Sequence, residues 1–95
     1  MVKFSSNGEF EFQWGSKGPN EGEFDLPHGV AVDRHGQVYV ADRSNSRIQI
    51  FDRDGSFVSQ WKAAELGRPY AIDIGSDGKV YVVDGGDQPA APPDR

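Results

Sequence analysis

Residues 26–61 read LPHGVAVDRHGQVYVADRSNSRIQIFDRDGSFVSQW, and this stretch decides the fold. Four short runs rich in β-branched and aromatic residues occupy 29–33, 38–42, 47–52 and 57–61. Arg34-His35-Gly36 separates the first two and Arg53-Asp54-Gly55 the last two. Each of these turns ends on glycine, where a tight hairpin needs a residue at positive φ. No apolar period of 3.6 runs through the stretch, so it predicts a four-stranded antiparallel meander.

The same pattern continues on both sides. Runs at 2–5 and 10–14 flank Ser6-Asn7-Gly8, and runs at 70–74 and 80–84 flank Ser76-Asp77-Gly78. The flanks repeat the centre. Phe4, Gly8, Phe10 and Trp14 return with the same spacing as Phe51, Gly55, Phe57 and Trp61. Pro27-His28-Gly29-Val30-Ala31-Val32 returns as Pro69-Tyr70-Ala71-Ile72-Asp73-Ile74, and Val38-Tyr39-Val40-Ala41-Asp42 as Val80-Tyr81-Val82-Val83-Asp84. A four-strand unit recurring every 40–45 residues or so marks a β-propeller blade.

Composition narrows the function. At 95 residues and a net charge of −5, the chain is a poor polyanion binder, which argues against nucleic acid and anionic membrane as partners. Cysteine is absent, so disulfides, thiolate catalysis and Cys-type zinc sites are excluded. No apolar run is long enough to span a bilayer, and the N-terminus has no signal-peptide core. The expectation is a soluble chain whose compartment the sequence does not specify.

Residues 26–61 resemble an NHL repeat. Pro27 stands ahead of the first strand, Val38-Tyr39-Val40-Ala41-Asp42 forms the second, and Asn45-Ser46-Arg47-Ile48-Gln49-Ile50-Phe51 leads through the third. Nearly the whole chain, through Asp84, fits two such units. Within the family it most resembles the lyase domain of peptide-amidating enzymes and its bacterial relatives, which implies an all-β, six-bladed propeller.

With the strands of a blade lettered a to d from the axis outward, residues 2–14 supply c and d, 29–61 a complete blade, and 70–84 a and b. The tail at 85–95 is too rich in proline and glycine for a paired strand. The chain is therefore expected to be a single two-blade segment, one whole blade between two complementary halves. Joining Arg95 to Met1 restores the passage from b to c, so the ends are in phase. Two blades cannot close a ring and leave strand edges and apolar faces open. Three chains would complete the family's six blades, so the expected partner is the chain itself, as a homotrimer with strand exchange; the alternative is that the sequence is a fragment of a longer protein.

His28 is the leading site candidate. It opens the innermost strand at the channel mouth, and in the lyase relatives a histidine in a matching Pro-His motif binds zinc. The resemblance therefore implies zinc on His28, with three chains supplying three imidazoles and an open fourth position. Tyr70 and Arg68 flank Pro69 at the same rim. A phenol and a guanidinium there fit the base and carboxylate anchor of such an enzyme, giving His28 and Tyr70 as ligand-binding residues and Tyr70 and Arg68 as catalytic ones. Where those relatives carry a tyrosine after strand b, this sequence has Arg43-Ser44-Asn45.

Other candidates have plainer readings. His35 lies in a turn and reads as solvated. Calcium is not supported, because Asp54-Gly55 and Asp77-Gly78 lack the spaced carboxylates of a calcium loop and suit hairpin turns. Arg43 and Arg47 are too few to make a basic face. Trp14 and Trp61 read as packing between blades, and Asp42 and Asp84 as caps on backbone amides at the turn. The function expected is a self-assembling NHL structural or binding module that holds a metal or small ligand on its axis. The alternative is a zinc-dependent lyase acting on peptides that end in α-hydroxyglycine.

Overall fold

A computed structural model describes residues 1–62 and 66–84. Among these residues ten strands run in chain order: β1 Val2–Phe4, β2 Phe10–Gln13, β3 Ser16–Lys17, β4 Glu23–Phe24, β5 Pro27–Val32, β6 Val38–Asp42, β7 Arg47–Phe51, β8 Phe57–Trp61, β9 Pro69–Ile74 and β10 Val80–Asp84. One 3-10 turn, Arg43–Asn45, joins β6 to β7. All eight expected strands are present, with ends shifted by a residue or two. The tail at 85–95 lies outside the described residues.

Strands β5-β6-β7-β8 form one antiparallel sheet in that order, a complete blade. β1 pairs with β2 and β9 with β10, each as a separate antiparallel hairpin. The glycine-ended turns take the expected conformation: Gly8, Gly36, Gly55 and Gly78 all have φ between 83° and 90°. Aspartates staple two of these turns. Asp52 Oδ1 accepts from the Asp54 and Ser56 amides at 2.9 Å, and Asp33 Oδ1 accepts from those of His35 and Gln37 at 2.9 Å. Burial pushes the Asp33 carboxyl up, but these two amides and the Tyr39 hydroxyl outweigh it and hold its pKa below the usual 3.8. Turn chemistry thus occupies these carboxylates.

The half-blades cover opposite faces of the complete blade. Alternation along a strand sends Tyr39 and Ala41 to one face and Val40 to the other. On the first face Tyr39, Ala41, Ile48 and Ile50 are buried beneath Ile72, Ile74, Val80 and Val82 of the β9–β10 hairpin, with Leu66 beside them. On the second, Val40, Phe51 and Phe24 are buried with Met1 and Trp14 from the ends of the β1–β2 hairpin. Trp14 meets Phe51 edge-on at 5.6 Å, in keeping with its expected packing role, while Trp61 lies 5.7 Å from Tyr39.

The connection 15–25 is more than a linker. β3 and β4 pair in parallel, Ser16 with Glu23 and Lys17 with Phe24. This strap is fastened from beneath by polar side chains of the complete blade. Arg47, 1% exposed, donates Nε to Asp42 Oδ2 at 2.8 Å and uses its four remaining N–H groups on the carbonyls of Pro19, Asn20 and Glu23 and on Gln60 Oε1. Gln49 accepts from the Gly22 amide and donates to the Glu23 carbonyl. Asn45 donates to the Gly18 carbonyl and to Asp42.

Arg47 belongs to this buried network. One expectation is corrected here. Asp42 does cap an amide, but that of Asp25, at 2.7 Å, from the strap rather than from its own turn. Asp84 repeats the device on Gly67 at 2.9 Å, and Gly67 is the position equivalent to Asp25.

Candidate functional site

The starts of β5 and β9 lie side by side at one end of the blades. Gly29 makes this approach possible: a Cβ there would stand 2.8 Å from the Tyr70 carbonyl oxygen and 2.9 Å from Ala71 Cα. Close contact of the two innermost strands lays the His28 ring on Tyr70, with centroids 4.0 Å apart and an interplanar angle of 27°. His28 Nδ1 lies 3.0 Å from the Tyr70 carbonyl oxygen. A carbonyl oxygen only accepts, so Nδ1 carries the proton and the Nε2 lone pair of the neutral ring remains available. Both rings are solvent-exposed.

A guanidinium completes the stack, and it is Arg43. Its Cζ lies 5.2 Å from the Tyr70 ring centroid, within cation–π range. Arg43 belongs to the 3-10 turn after β6, where the sequence reading looked for a tyrosine and found none. Arg68 adjoins the rim through the chain, and its Nε is buried with no hydrogen-bond partner among the described residues. The structure therefore brings together His28, Tyr70 and Arg43. The signal for Arg43 was available: the strand b to strand c turn opens at the same end of a blade as the start of strand a, because antiparallel strands alternate direction.

Among the described residues no group of three or more His, Cys, Asp or Glu side chains could hold an ion. His35, in the β5–β6 turn, is exposed at the opposite end of the strand from His28. No helix among the described residues is long and apolar enough to cross a membrane.

A four-stranded antiparallel sheet flanked by equivalent half-sheets on either face defines a pair of propeller blades. Residues 24–51 match the NHL repeat model, so the chain contains an NHL repeat, consistent with its propeller-type blade. It is 42% identical over 92 residues to peptidyl-glycine alpha-amidating monooxygenase A of Xenopus laevis, covering 90% of this chain and 10% of that protein. It is 38% identical over 88 residues to human NHL repeat-containing protein 3, covering 87% of this chain and 24% of the relative. Over 47 residues it is 53% identical to protein lin-41 of Caenorhabditis elegans, covering 50% of this chain and 4% of lin-41. The chain thus spans a tenth to a quarter of the length of the relatives it matches most fully.

Proposed function

We propose that this chain is a structural and binding module that completes its half-blades with other copies of itself, three of them closing a six-bladed ring. The observation that supports this is the pair of open edges. Among the described residues β1 is paired on one side only, by β2, and β10 on one side only, by β9. In the complete blade the equivalents of β10 and β1 are β6 and β7, which pair along their full length. Each half-blade therefore lacks what the other supplies. The mass in solution tests this: sedimentation should give three times the 10.4 kDa of the chain. A folded species at the mass of one chain would refute it.

The lyase reading is supported by one further observation, the Nδ1 hydrogen bond that leaves His28 Nε2 available to a metal. One chain is insufficient, so the donor set would come from the His28 side chains of three copies, with Tyr70 and Arg68 as the proposed base and anchor. Bound zinc would supply Lewis acidity to a substrate oxygen. His28 would be held in orientation by the Tyr70 carbonyl, the usual role of a partner on the non-ligating nitrogen. On this reading the purified protein carries one zinc per three chains, and His28→Ala loses it without loss of mass or β-sheet circular dichroism. Equal metal content in both proteins would reduce His28 to a channel-lining residue.

A further inference from the structure

The assembly reading above leaves open which surfaces meet between copies, and the repeat within the chain answers this. We propose that the β9–β10 hairpin of a second copy docks into the groove between β1 and β5, presenting Tyr81 and Val83 to Val30, Val32 and Val38. This inference rests on that assembly reading.

The groove has a volume of about 480 Å³ and is lined by Val30, Val32, Val38 and Trp14, together with Lys3 and Arg53. Register places the three valines on one face: Val30 pairs with Val40 and Val32 with Val38. Val30 and Val32 are 52% and 59% exposed, unusual for β-branched residues of the innermost strand. Their equivalents in the second unit, Ile72 and Ile74, are packed against the complete blade. The same positions are thus covered in one unit and open in the other.

The opposite side of that contact shows what should cover them. In the chain, Ile72 and Ile74 lie over a surface that includes Tyr39 and Ala41. The repeat equivalents of Tyr39 and Ala41 are Tyr81 and Val83, and these are 57% and 58% exposed. They too share a face, since Tyr81 pairs with Asp73 and Val83 with Ala71. The observed contact between units, carried one step along the repeat, therefore joins two exposed apolar faces to each other. Such a contact is heterologous, with different surfaces meeting, and so can propagate around a ring.

Charge and edge geometry agree. The cations lining the groove are Lys3 and Arg53, and the incoming face carries the carboxylate of Asp73. In the complete blade Tyr39 stands opposite Ile50. The equivalent pair between copies is Tyr81 with Lys3, so a hairpin seated along β1 brings Tyr81 to the side chain that already lines the groove.

The test uses sedimentation of the whole chain and of two variants, Val32→Glu in the groove and Val83→Glu on the hairpin. Both positions are more than half exposed in the single chain, so neither substitution buries a carboxylate unless copies dock. Retained β-sheet circular dichroism checks the fold. Hydroxyl-radical footprinting of the wild type adds a direct readout. The expected result is an assembled wild type with Val30, Val32, Tyr81 and Val83 protected, and a threefold loss of mass in each variant. An assembled wild type whose mass survives both substitutions, or whose Tyr81 stays fully reactive, would overturn the docked face while leaving assembly standing. A wild type at the mass of one chain would overturn the assembly reading and this inference with it.

Discussion

Replacing Arg47 by alanine should destabilise the protein by about 3–5 kcal/mol, the usual cost of removing one partner from a buried ion pair. Asp42 is fully buried and its Oδ2 would lose its guanidinium partner at 2.8 Å. Three backbone carbonyls of the strap, at Pro19, Asn20 and Glu23, would lose donors as well. Domains of this size are stable by about 5–15 kcal/mol, so the loss is a large share of the total. Lysine keeps the charge but has three N–H donors in place of five and cannot reach in-plane in several directions. Arg47→Lys should therefore fall between wild type and Arg47→Ala. Urea unfolding at matched protein concentration measures this, since any assembly makes stability depend on concentration. Arg47→Ala within about 0.5 kcal/mol of wild type, the range of an ordinary surface change, would mean the strap is held without Arg47, by Phe24 packing and the hydrogen bonds of Gln49, Asn45 and Asp42.

The network around Arg47 also marks the limit of what the sequence disclosed. The eight main strands were legible because alternation, β-branched residues and glycine-ended turns all agree. The strap at 15–25 was not. β3 and β4 are two residues each, too short to carry a period, and their fastenings lie 24 to 28 residues away in sequence. A clue did exist in β7, where Arg47 and Gln49 alternate with Ile48 and Ile50. Polar side chains on a face that should be buried require partners, and 15–25, which leads into this blade, was an unassigned stretch long enough to supply them. The site divides in the same way. His28 and Tyr70 were readable as repeat equivalents at strand starts. Their stacking depends on the approach permitted by Gly29, and the guanidinium above them comes from the 3-10 turn after β6, which has no counterpart among the described residues of the second unit.

Between copies, the repeat predicts not only pairing but register. In the complete blade Val38 stands opposite Phe51, Tyr39 opposite Ile50 and Val40 opposite Gln49. Carried onto β10 and the β1 of a second copy, these become Val80 with Phe4, Tyr81 with Lys3 and Val82 with Val2. A slip of one residue would turn Lys3 of β1 to the face that Val2 and Phe4 should occupy, so the register should be tightly held. The chain has no cysteine, which makes cross-linking clean. Directly opposed antiparallel residues have Cα atoms about 4.5–5.5 Å apart, inside the range a disulfide accepts. The variant carrying both Lys3→Cys and Tyr81→Cys should therefore oxidise to covalently linked dimers and trimers under denaturing, non-reducing electrophoresis. Neither single variant should do so to a comparable extent, because each places its cysteines only near non-cysteine residues of the neighbour. The pair Phe4→Cys with Tyr81→Cys, one step out of register, should link far more slowly. Faster linkage of that pair would shift the register by one. Failure of every pair along the two edges, in a protein that still sediments as a trimer, would mean the ring closes through blade faces without strand exchange.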